Sequence, residues 1–157
     1  MKVGIIVYSK TGNTFSVAEK IQDALREIGA DVTLERFMAE TEVGSNKLIG
    51  LTAKPHCGGF DALIFGAPVQ AFSLDPAMTM YMQQTETIKA KKTICFITEH
   101  LPKKWMGGNH AMRQLLSLLK AKGISAEQAG IVNWSGKTKD AQIDEIVKYC
   151  TESIRKV

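Results

Sequence analysis

Residues 3–25 read VGIIVYSKTGNTFSVAEKIQDAL, a change of character from an apolar run through a polar stretch to a helical period. Val3 to Tyr8 reads as a buried strand. Ala18, Ile21, Leu25 and Ile28 then recur at three- and four-residue steps on one helix face that ends at Gly29. Between them lies SKTGNT, crowded with hydroxyl, amide and glycine. A tight turn needs only one or two such residues. At the carboxyl end of a strand and the start of a helix, unpaired N–H groups and the helix dipole favour an anion. Ser9, Thr11, Asn13 and Thr14 add donors, and Gly12 lets the backbone pass close to a ligand. The stretch lacks the lysine of GxxxxGK[ST] and is not GxGxxG, which disfavours triphosphates and dinucleotides. A cradle of hydroxyls and amides suits one terminal phosphate monoester, although turn chemistry alone also accounts for Thr-Gly-Asn.

The pattern then repeats. β-rich runs at 32–37, 62–66, 93–98 and 129–133 make five strands with the first, usually with a helical segment after each. Asp75-Pro76 reads as an N-cap and first helical residue, opening a helix that buries Met78, Tyr81, Met82, Thr85 and Ile88. Later faces comprise Met112, Leu115, Leu116 and Leu119, and then Ile143, Ile146, Val147, Cys150 and Ile154. The first, third and fourth strands are near-continuous apolar runs, as in a parallel sheet covered on both faces. The second alternates, which fits an edge. The expected fold is α/β: a three-layer, doubly wound, five-stranded parallel sheet of order 2-1-3-4-5, in one domain spanning residues 1–157. Ligands in such sheets bind beyond the carboxyl ends of the strands, so the loops after Tyr8, Gly66 and Thr98 are the ones to inspect.

Composition narrows the classes. At 157 residues, 45% hydrophobic and 23% charged, the chain has the make-up of a soluble globular domain. Its apolar runs are too short to span a bilayer and its start lacks a signal-cleavage region, so the expected location is cytoplasmic. Three cysteines without CxxC spacing indicate neither a disulfide framework nor a zinc site, and no metal is expected. Net charge is +4, but the lysines are scattered without a nucleic-acid motif. A phosphate-accepting receiver of the same topology needs acidic residues after the first strand and an aspartate ending the third; Tyr8-Ser9 and Gly66-Ala67 stand there instead.

SKTGNT resembles the phosphate loop of flavodoxins, [ST]-x-T-G-x-T, in the position where that family holds the phosphate of FMN. GAPVQAFSLDP (66–76) and TEHLPKKWMGG (98–108) resemble its second and third flavin loops, and the similarity spans the whole chain. The resemblance implies non-covalent FMN and electron transfer to a redox partner protein or small-molecule acceptor. It implies phosphate contacts from Ser9, Thr11, Gly12, Asn13 and Thr14, with a backbone N–H from Phe15, and counts Lys10 among the cofactor-binding residues. Pro68, Val69, Gln70, Ala71 and Phe72 would border the ring, Thr98, Glu99, Gly107 and Gly108 its pyrimidine side, and Trp105 either stacks on the ring or anchors its loop. No catalytic side chain is implied.

The departures bear on function. Gln70 stands where many flavodoxins have an aromatic, leaving Phe72 as a substitute. The third loop carries His100, Lys103 and Lys104, whereas flavodoxin shuttles are usually acidic. The fifth strand has no long insertion, as in short-chain members, and residues 38–59 make an unusually long connection expected to cover an edge or flavin loop. An NAD(P)H-dependent FMN or quinone reductase and a flavin-free binding module of the same fold are the alternatives.

Overall fold

The computed structural model describes residues 1–157. Five parallel strands, β1 (Lys2–Tyr8), β2 (Asp31–Phe37), β5 (Ala62–Gln70), β7 (Lys92–Glu99) and β8 (Glu127–Asn133), pair in the order β2-β1-β5-β7-β8. This is the expected winding, with β2 at an edge. Helices α1 (Asn13–Glu27) and α4 (Lys139–Arg155) cover one face, and α2 (Pro76–Gln84) and α3 (Gly108–Lys120) the other.

The pleat separates the two cores. Val3, Ile5 and Val7 of β1 pack with Val17, Ile21 and Leu25 of α1 and Ile146 and Cys150 of α4, while Ile6 and Tyr8 face Met78, Tyr81 and Leu115. All of these are buried, so apolar burial pins the register that brings the carboxyl ends of β1, β5 and β7 together. Cys57, Cys95 and Cys150 are buried free thiols. No helix is long and apolar enough to cross a membrane.

Three features depart from the sequence reading. The strand expected over 62–66 runs on to Gln70 and turns back through Ala71-Phe72 into the short antiparallel β6 (Ser73–Leu74). Pro68, Val69 and Gln70 are therefore strand residues. The helix opened by Asp75, whose carboxylate accepts the Ala77 N–H at 2.9 Å, stops at Gln84, because Thr85 is extended. Ile88 is buried, but from the connection that follows. Within residues 38–59, β3 (Ala39–Thr41) and β4 (Leu48–Leu51) form a separate antiparallel hairpin that packs on α2 and borders Lys10, Gln70 and Asp75.

Candidate functional site

At the carboxyl ends of β1, β5 and β7 lies a cleft of about 300 Å³, lined by Lys10, Thr11, Asn13, Thr14, Pro68, Val69, Gln70, Asp75, Thr98, Glu99 and His100. Nine of these eleven residues are polar or charged. The cleft continues, through the shared Val69, Glu99 and His100, into a hollow that adds Ala71, Phe72 and Leu101. That hollow in turn shares Phe72 and Leu101 with an apolar one lined by Trp105, Met106, Gly107 and His110. The result is a path from hydroxyls and amides, past a carboxyl, to exposed aromatic surface.

The polar end is shaped by Gly12, which precedes α1 at φ 98°, a left-handed conformation that a side chain would strain. Ser9 is buried under it, and its hydroxyl oxygen accepts the N–H groups of Gly12 and Phe15, each at 3.1 Å. Ser9 thus shapes the loop instead of lining the cleft, and the Phe15 N–H expected to meet a phosphate is taken up by it. Arg36 of β2 donates to the carbonyls of Ser9 and Lys10 and lies over the Phe15 ring, fixing the loop from outside. Thr14 lies 2.7 Å, hydroxyl to hydroxyl, from Thr98. A hydroxyl has one proton, so such a pair uses one and leaves one for a third partner.

The middle of the path is held from the far side of the sheet. Gln142 of α4 accepts the backbone N–H of Asn133 at 2.8 Å, which orients its amide to donate to Asn133 Oδ1 at 3.0 Å. Asn133 must then turn its own NH₂ group toward Glu99 Oε1, at 2.5 Å, and the Leu101 carbonyl, at 3.0 Å. Glu99 is only 3% exposed, and its Oε2 is buried without a partner. Burial raises its pKa from the ordinary glutamate value, against the donors Asn133 and Gly108 N–H. Gly108 has no room for a side chain, since a Cβ there would stand 2.7 Å from Glu99 Oε1. Burial likewise raises the pKa of Asp75, opposed by the Ala77 N–H and Lys10.

At the apolar end, Ala71 and Phe72 form a two-residue hairpin turn with both φ positive, 49° and 64°. Such turns usually take Asn-Gly; a non-glycine residue in this region costs on the order of 1–2 kcal/mol. Phe72 is 63% exposed there, and Gly107 is packed so closely that a Cβ would stand 2.8 Å from Phe72 Cα. Trp105, on a 3-10 turn at Lys104–Met106, is 74% exposed and shares the apolar hollow with Phe72.

Nine of the residues singled out by the sequence line the polar cleft: Lys10, Thr11, Asn13, Thr14, Pro68, Val69, Gln70, Thr98 and Glu99. Ala71, Phe72, Trp105 and Gly107 line the adjoining hollows. Ser9, Gly12, Phe15 and Gly108 are supports. The sequence reading missed Asp75 and His100 as lining residues, Arg36 as the loop's brace, and the Asn133–Gln142 pair behind Glu99.

No family model matches the sequence, and no curated protein matches it either. The fold does have solved counterparts. The chain is similar along its whole length to a flavodoxin from Streptococcus pneumonia TIGR4 (17% identity, TM-score 0.67, all of both chains). It is likewise similar to oxidised flavodoxin 1 from Bacillus cereus (15%, 0.65, covering 100% of this chain and 99% of that one). An NAD(P)H:quinone oxidoreductase from Methanothermobacter marburgensis also matches (14%, 0.62, covering 99% and 96%). The chain has the flavodoxin-like fold.

Proposed function

We propose that residues 1–157 form one unit that binds FMN non-covalently and passes electrons through it. The observation that carries this reading is the graded path: Thr11, Asn13 and Thr14 at the start of α1, the orphaned Glu99 oxygen midway, and the Phe72–Trp105 hollow beyond. A molecule with a phosphate at one end and a flat apolar ring at the other matches that gradient. The donor set fits FMN. Thr11, Asn13 and Thr14 would hold the phosphate, Val69, Gln70, Thr98 and Glu99 the connection to the ring, and Phe72 and Trp105 the ring itself. FMN, when bound, supplies the electron chemistry. The polypeptide binds it, orients it and sets the charge around it. We infer a cytoplasmic location, supported by three free buried thiols, and a redox protein or small molecule as partner.

The test is an absorption spectrum of the purified protein and its titration with FMN. A flavin spectrum, or saturable FMN binding with a preference over riboflavin, supports the reading. Absence of both overturns it.

The charge of the rim bears on potential. The loops after β1, β7 and β8 carry exposed Lys10, Lys103, Lys104 and Lys137 and no carboxylate. Where no proton accompanies the electron, reducing a flavin adds negative charge, which nearby cations stabilise. Replacing Lys103 and Lys104 by glutamate changes the rim by four charges, but exposed side chains are screened within about 8–10 Å at moderate salt. The expected change is on the order of 1 kcal/mol, the scale of a close unit-charge interaction in bulk water. The midpoint potential of bound FMN should become more negative, and more so at low salt; an unchanged or more positive potential would remove charge tuning from this loop.

A further inference from the structure

We propose that Glu99 is a ligand-contacting proton carrier: its Oε2 takes a proton from solvent when a flavin ring covers it and presents that proton as a hydrogen-bond donor to an acceptor atom of the ring. This rests on the flavin reading above.

The geometry fixes where the proton goes. The chain from the Asn133 backbone N–H through Gln142 to the Asn133 amide leaves Asn133 only its NH₂ group for Glu99, so Oε1 is committed as an acceptor. A proton on this carboxyl therefore sits on Oε2, which is buried and has no partner. Native structures rarely leave such an atom unsatisfied, and each exception calls for a role. Glu99 lines both the polar cleft and the hollow bearing Phe72, the junction any ligand spanning the path must cross. Glu99 keeps 3% of its surface exposed there, and covering that remnant favours the neutral acid over the carboxylate.

The surrounding charges leave that preference in place. Lys10 and His100 line the cleft from the β1 and β7 loops, Asp75 from the β6 side, and His110 stands on α3 beyond Gly108. Lys103 and Lys104 are exposed on the third loop, and β8 and α4 present the neutral Asn133 and Gln142. None of the charged groups contributes appreciably to the raised pKa of Glu99, whose cause is burial.

The sign of the linkage follows. With a pKa higher in the complex than in the ligand-free protein, binding takes up a proton between the two values, and affinity falls as pH rises through that window. The probe is riboflavin, because the phosphate of FMN itself titrates near pH 6. Calorimetry in buffers of different ionisation enthalpy should show uptake of up to one proton in the wild-type protein. Its Kd should rise by up to roughly tenfold per pH unit inside the window. Glu99→Gln keeps the shape and carries a permanent donor at the Oε2 position; its riboflavin Kd should be flat with pH and its heat independent of buffer. Asp75→Asn and His100→Gln should retain the wild-type slope. Buffer-independent heat in the wild type, or a slope that survives Glu99→Gln, would overturn the assignment while leaving flavin binding intact. Failure of both riboflavin and FMN to bind would overturn the flavin reading and this inference with it.

Discussion

Removing the hydroxyls of Thr11 and Thr14 together is expected to weaken FMN binding by about a hundredfold or more while leaving riboflavin nearly unchanged. A hydrogen bond to a charged acceptor contributes about 1.5–3 kcal/mol, and two such losses at the low end already sum to about 3 kcal/mol. The two positions are not equivalent. Thr11 is exposed at the mouth, whereas Thr14 is buried against Thr98, so that Thr98 can donate to Thr14 and Thr14 onward to the anion. Thr14→Ala also strands the Thr98 hydroxyl, and a melting curve separates that loss of stability from a loss of affinity. Thr14→Ser should restore FMN binding. Equal losses for FMN and riboflavin in the double variant would reduce SKTGNT to a turn.

What the sequence disclosed and what it concealed divide along physical lines. Strand order was readable because burial on both faces leaves near-continuous apolar runs in β1, β5 and β7, and because Val32 and Leu34 alternate with Thr33 and Glu35 at an edge. The cleft at the end of β1 was readable because local side chains build it. The helix at Asp75 was read too long, since Ile88 is buried at a helical interval from Gln84 although the chain there is extended. The β5–β6 hairpin was hidden by its turn: Ala71-Phe72 has none of the residues that positive φ normally selects. Arg36 reaches back across 27 residues to the Ser9 carbonyl, and Asn133 reaches Glu99 across 34. Such pairings follow from sheet order and leave no mark in local spacing.

Phe72 gives a prediction in which stability and binding should move in opposite directions. Its φ of 64° suits glycine, and its side chain is 63% exposed, so Phe72→Gly loses little packing and relieves backbone strain. The variant should melt no lower than the wild type, with a gain of up to about 1 kcal/mol. If the hollow between Phe72 and Trp105 receives the flavin ring, the same change should weaken riboflavin binding. Trp105→Ala should do so by roughly 1–3 kcal/mol, the scale of stacking a base on an aromatic side chain. Binding should also quench Trp105 fluorescence. Trp134, half-buried beyond β8 with Lys139 Nζ 4.9 Å from its ring centroid, provides the internal reference. Riboflavin affinity unchanged in both Phe72→Gly and Trp105→Ala would take the ring out of this hollow, leaving Trp105 an anchor of the third loop and the strained turn without a ligand to account for it.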